Sequence, residues 1–124
     1  QKRMQLSKKK INSNLNLQLK KMLLGVLAEM KSPDEIEMVL NELLTETERA
    51  VVLKRLGIAI YLDKKRSYED IKNHLKVSSA TIASISDNLG NPGLQEIIKR
   101  IKADQWAEET SGRIVRSIKK ILPV

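Results

Sequence analysis

Between Leu15 and Met30 the apolar residues Leu15, Leu19, Met22, Leu23, Val26, Leu27 and Met30 recur at steps of three and four. That spacing predicts an amphipathic helix with a wide apolar stripe. Ser32-Pro33-Asp34-Glu35 then restarts the chain. A serine hydroxyl accepts from the orphan N–H groups of a new helix, proline suits its first position, and the glutamate three residues on closes a capping box. The second helix is short and ends near Leu44. Thr45 with Glu48 repeats the device and opens a third helix, in which Val51, Val52, Leu53, Leu56, Ile58, Ala59, Ile60 and Leu62 leave residues 50–62 apolar nearly all round. Such a helix belongs at the centre of a bundle, and a bundle of 124 residues offers few such places unless a second copy helps to cover it. A homodimer is therefore expected. The helix ends at Asp63-Lys64-Lys65-Arg66, with cations where the macrodipole favours them.

Ser67-Tyr68-Glu69-Asp70 opens a short helix to about Leu75, Lys76-Val77 makes a tight turn, and Ser78 caps a further helix reaching about Leu89. Ile71, Leu75, Val77, Ile82 and Ile85 fall at the register that locks two short helices at a steep angle. The first two face inward from one helix, Val77 plugs the turn, and the last two face inward from the other. This predicts a helix-turn-helix over residues 67–89. Its outward face is Ser79, Ala80, Ala83, Ser84 and Asp87, flanked by Thr81, all short enough for the backbone to enter a DNA major groove. Asn88 to Gly93 reads as a helix stop, with Gly90 suited to a left-handed cap and Pro92 preventing continuation. Leu94, Ile97, Ile98 and Ile101 mark another amphipathic helix running into Trp106, an expected core or dimer-interface anchor. Beyond Ser111-Gly112, Ile114, Val115, Ile118, Ile121 and Leu122 among four cations predict a separate basic amphipathic helix.

Composition narrows the function classes. The chain has no Cys or Phe, one His, two Tyr and one Trp, and is dominated by helix-forming residues, so an all-α fold is expected and thiol catalysis and Cys-based zinc sites are excluded. With 23 Lys and Arg against 15 Asp and Glu, the net charge of +8 favours a polyanionic partner. The charge comes in blocks: residues 1–31 are net +7, residues 32–53 net −5, residues 54–76 net +4 and the last twelve net +4. Residues 1–13 hold too few apolar groups to repay ordering and read as a flexible basic arm, with residues 14–110 as the helical domain and 111–124 as the C-terminal helix. With Gln1 in place of Met, a trimmed or tagged start is expected. No apolar run suits a membrane span or signal peptide, so a soluble, cytoplasmic protein with no membrane partner is expected. His74 has no ligand set around it, the serines at 78, 79, 84 and 86 have no positioned base, and the glycines form no phosphate loop. No enzyme, cofactor or metal is expected.

Leu44-Thr45, Glu48-Arg49, Arg55, Ile71-Lys72-Asn73, Leu75, Ala80-Thr81-Ile82, Ser86 and Leu89 resemble the bacterial tryptophan repressor family over roughly residues 40–100, with one residue missing between Arg55 and Ser67. The resemblance implies an all-α, intertwined helical dimer with one helix-turn-helix reading head per subunit on a two-fold operator. Tryptophan repressors carry Thr-Arg-Gly-Ser in the second reading-head helix, where this chain reads Ala83-Ser84-Ile85-Ser86. Thr45 and Arg55 resemble ligand-pocket positions, which with Ser84 and Ile85 make a vestigial pocket: the arginine partner is gone and a branched side chain takes the space. A small-molecule corepressor is not expected.

The function expected is therefore sequence-specific or shape-reading double-stranded DNA binding by a homodimeric transcriptional regulator, a repressor independent of tryptophan. Tyr68, Ser78, Ser79, Ala80, Thr81, Ala83 and Ser84 would meet the groove, and Lys64, Lys65, Arg66, Lys72 and Lys76 the phosphates. The competing readings are a helical module gripping an acidic protein partner and an RNA- or ribosome-associated basic protein, the latter short of aromatic stacking residues.

Overall fold

The computed structural model describes residues 9–121, without the side chains of Trp106 and residues 110–121. The expected roles of Trp106 and of the apolar residues beyond Ser111 lie outside the described side chains, as does most of the basic arm. Among the described residues every regular element is helical: α1 (Ser13–Glu29), α2 (Pro33–Leu43), α3 (Glu46–Asp63), α4 (Tyr68–Leu75), α5 (Ser79–Asp87) and α6 (Pro92–Ile121). The chain divides into two compact units, residues 1–46 and 47–124.

In the first unit, α1 begins two residues ahead of its apolar stripe because Asn12 caps it. The Asn12 side-chain oxygen accepts from the backbone N–H groups of Asn14 at 2.8 Å and Leu15 at 3.3 Å. Ser32 caps α2 as its sequence predicts, its Oγ accepting from Glu35 N–H at 3.2 Å. The Glu35 carboxylate reaches back to Lys31 N–H at 3.4 Å, one residue upstream of the usual box partner. No residue of α1 or α2 is buried. The stripe of α1 from Leu15 to Val26 is exposed in the single chain, Met22 by 64%, while Leu27 and Met30 are half-buried.

The second unit holds the core. Ile58 and Ala59 of α3, Ile71 of α4, and Ile82 and Ile85 of α5 form one buried cluster, with Tyr61, Leu62, Leu75, Val77, Leu89 and Leu94 packed against it. All five inward positions read from the sequence thus meet in one place. Close approach of α4 to α3 depends on Gly57, where an added Cβ would lie 3.0 Å from Leu75 Cδ1 and 3.2 Å from its Cδ2. The other half of α3 is not covered: Val51, Val52 and Leu53 are exposed in the single chain, Leu53 by 66%.

Two local expectations change. Gly90 is not left-handed, since no glycine has a positive φ among the described residues. The end of α5 instead closes by tight right-handed turns, Asn88 N–H to Ile85 C=O at 3.1 Å, Leu89 N–H to Ser86 C=O at 3.2 Å and Asn91 N–H to Asn88 C=O at 2.9 Å. Helix α6 also runs through Ser111 and Gly112 without interruption to Ile121. A single interior glycine weakens a helix by only about 1 kcal/mol, too little to force a break.

Ile82 is fully buried, so Ile82→Ala should lower unfolding stability in urea by about 2–5 kcal/mol. A loss under 1 kcal/mol would mean that α5 is not held through this cluster.

Candidate nucleic-acid interface

The α4–α5 pair is defined by two serine caps and one left-handed lysine. Ser67 Oγ accepts from Asp70 N–H at 3.1 Å and starts α4, and Ser78 Oγ accepts from Thr81 N–H at 3.2 Å and starts α5. Between them Lys76 adopts φ 54° and ψ 56°, and its N–H donates to Lys72 C=O at 3.0 Å, which ends α4 by a left-handed cap. Glycine is the usual residue at such a position because a Cβ crowds the following carbonyl, at a cost of roughly 1–2 kcal/mol.

The same substitution of lysine for glycine recurs at the end of α3. Lys65 has φ 62°, with Lys65 N–H donating to Leu62 C=O at 3.0 Å and Arg66 N–H to Tyr61 C=O at 3.0 Å, the paired bonds of a Schellman motif. Cations therefore occupy both strained positions.

Of the expected groove residues, Tyr68 begins α4 and is exposed; Ser78, Ser79, Ala80, Thr81 and Ser84 are exposed on or beside the first turns of α5. Ala83 is half-buried, one turn after Ser79 and next to the buried Ile82. Ser78 and Thr81 are tied to one another, Oγ to Oγ1 at 3.0 Å. Asn88 holds the other end of α5 by donating to Ser84 C=O at 3.0 Å.

The expected phosphate ligands divide into two groups. Lys64, Lys65, Lys72 and Lys76 are exposed, and among the described residues no carboxylate pairs with any of them. Arg66 is engaged: its guanidinium donates to Asp70 at 2.9 Å and lies 5.6 Å from the centre of the Tyr61 ring. Asp70 also meets His74 Nδ1 at 2.9 Å, and His74 packs edge-on against Tyr61. This network braces α4 against the end of α3. Separately, Lys102 of α6 pairs with Asp63 in the last turn of α3 at 2.8 Å.

Of the pocket-like positions, Ile85 is buried in the core cluster, Ser84 is exposed beside it, and Arg55 is exposed on α3. Thr45 belongs to the first unit. Among the described residues no group of His, Asp or Glu is placed to hold a metal ion, and no helix is long and apolar enough to cross a membrane.

A family model described as Trp repressor protein matches residues 18–102. The chain belongs to the Trp repressor family. The match reaches back through α2 into α1, further than the quoted motif residues, and takes in α3, α4, α5 and the first part of α6. The Trp repressor family consists of DNA-binding regulators of transcription rather than enzymes. Neither the curated proteins nor the solved structures provide a match to the chain.

Three features of the site have no signature in the one-dimensional pattern. They are the left-handed lysines at 65 and 76, the glycine at 57 that admits Leu75, and a hydrogen bond from Lys54 Nζ to Lys76 C=O at 3.2 Å. Lysine at a helix end reads only as a cation for the dipole, and the Lys54 bond spans 22 residues.

Lys76→Gly should raise unfolding stability by about 0.5–1 kcal/mol, since relief of the left-handed Cβ outweighs the added freedom of the unfolded chain. A urea titration showing a loss instead would mean that the Lys76 side chain itself stabilises the turn.

Proposed function

We propose that the protein is a homodimeric transcriptional repressor that binds double-stranded DNA through α4 and α5 as a helix-turn-helix, without a corepressor. One observation carries this reading: the small-residue start of α5 is exposed, and the α4 helix and cap that lead into it carry Lys72 and Lys76, both exposed and neither paired with a carboxylate among the described residues. Membership of the Trp repressor family supports it. A helix edge of Ser79, Ala80 and Thr81 would let the backbone come close to base edges, and the exposed ammonium groups of Lys72 and Lys76 are free to take phosphates.

Tyr68, Ser78, Ser79, Ala80, Thr81 and Ser84 form the groove face, with half-buried Ala83 at its inner margin. That face has no Arg, Asn or Gln, so the strong bidentate base pairings are absent and specificity rests on water bridges and duplex shape. Lys64, Lys65, Lys72 and Lys76 hold phosphates. Arg66, committed to Asp70 and Tyr61, braces α4 more than it binds. The basic arm over residues 1–13 adds nonspecific attraction.

Independence from tryptophan is supported by Ile85. Its branched side chain is buried with Ile58, Ile71 and Ile82, packing that would hold α5 against α3 and α4 with no need of a ligand. The dimer is supported by the exposed apolar residues Met22 and Leu24 of α1 and Val51, Val52 and Leu53 of α3, a density of apolar surface that single soluble chains seldom leave bare.

Binding to duplex DNA should weaken steeply with salt. The pair Lys72→Ala with Lys76→Ala should weaken binding to all sequences and flatten the log–log salt slope by about 2, and added tryptophan should leave the affinity unchanged. Salt-independent binding to duplex, or tight binding to an acidic protein in its place, would refute the assignment; affinity that rises with tryptophan would refute the corepressor-free part of it.

Sedimentation equilibrium should give twice the chain mass, and Leu53→Glu should reduce it to a single copy at micromolar concentration. A mass unchanged by that substitution would remove this face of α3 from the dimer.

A further inference from the structure

We infer that Lys54 is a positioning residue for the α5 reading edge, acting through the α4–α5 turn and not by touching phosphate. The inference rests on the DNA-binding reading above and assigns a task to a cation outside the expected phosphate set. Lys54 Nζ donates to Lys76 C=O at 3.2 Å. That carbonyl lies just past the last bond of α4, where the helix leaves partial negative charge on its unpaired oxygens. An ammonium group is therefore the natural partner for it.

Lys54 shares one face of α3 with Gly57 and Ile58, three and four residues on. Two of these positions meet successive residues of the turn, and the third belongs to the cluster on which the turn packs. Gly57, lacking a Cβ, admits Leu75, whose Cδ1 would be 3.0 Å from a Cβ placed there. Ile58 belongs to the cluster on which Val77 packs. Lys54 holds the carbonyl of the residue between them. The peptide plane joining Lys76 to Val77 is thus gripped by a charge-assisted hydrogen bond and by apolar packing.

Only Val77 separates Lys76 from Ser78, the cap of α5. A change of ψ at Lys76 that φ at Val77 does not compensate redirects the first turn of α5, where Ser79, Ala80 and Thr81 lie. Lys76 has a left-handed backbone that its side chain disfavours, so an outside contact on its carbonyl has more to restrain there than in a relaxed turn. Lys72 and Lys76, whose ammonium groups meet no carboxylate among the described residues, can bind phosphate; the Lys54 ammonium is already engaged.

The test compares wild type, Lys54→Met and Lys54→Arg in duplex DNA binding across a salt series, with the Lys76 carbonyl carbon shift read by NMR in the free protein. Lys54→Met keeps the aliphatic stem and removes the donor. It should weaken binding about 3- to 10-fold with an unchanged salt slope and move the Lys76 carbonyl shift upfield, and Lys54→Arg should restore both. A slope flattened by about 1 in Lys54→Met would make Lys54 a phosphate ligand and overturn the inference. An unmoved carbonyl shift with unchanged affinity would overturn it as well. Wild-type protein that fails to bind duplex would overturn the DNA reading itself, a result separate from either of these.

Discussion

Ile58, Ile71, Ile82 and Ile85, contributed by three helices, meet in one buried apolar cluster, and the exposed edge of α5 exists because they do. Each buried isoleucine contributes roughly 1.5–3 kcal/mol of apolar burial. Helices as short as α4 and α5 are unstable alone in water, since too few hydrogen bonds offset the cost of nucleation. Their stability is borrowed from this contact. The hydrophobic effect has no direction of its own, but β-branched side chains have few rotamers in a helix and therefore set orientation as well as depth. With Ile82 and Ile85 turned inward, geometry turns Ser79, Ala80 and Ser84 outward or to the flank.

The backbone between those helices is arranged around charge. Both left-handed residues, Lys65 and Lys76, end helices at places where glycine relieves strain. Lysine there retains a cation at the expense of stability, and strain of that kind concentrates where function and not folding selects the residue. The network of Tyr61, Arg66, Asp70 and His74 complements it, stiffening the junction of α3 and α4 so that the lysines project from a fixed frame. On the proposed reading, affinity comes from these cations, whereas discrimination comes from how closely a small-residue edge lets the duplex approach.

The core of the second unit contrasts with the bare apolar faces of α1 and of the first half of α3. One helix, α3, carries both: its end is sealed by α4 and α5 while Val51, Val52 and Leu53 lie open. A reading head anchored to the covered half and a partner copy seated on the open half would share one rigid rod. Under that proposal, the separation of two reading edges is set by the length of α3, which links assembly to operator spacing.

Helix positions, their serine caps and the inward register of Ile71, Leu75, Val77, Ile82 and Ile85 were legible along the chain because each depends on residues no more than about a turn or two apart. Capping and helical periodicity are local physics. The family was legible for a related reason, since its motif residues lie on this same framework. What local pattern misassigned was the handedness of glycine at 90 and the continuity of α6, which passes through Gly112, and it gave no sign of the left-handed lysines at 65 and 76. Those outcomes follow from how neighbouring elements close on each other, and propensity alone is worth too little energy to decide them. The Lys54 bond to Lys76, the admission of Leu75 by Gly57 and the engagement of Lys102 with Asp63 join residues distant in the chain. Only the folded arrangement brings such groups within reach, because a hydrogen bond or a methyl contact is specified by ångströms in space and leaves no periodic trace in the order of residues.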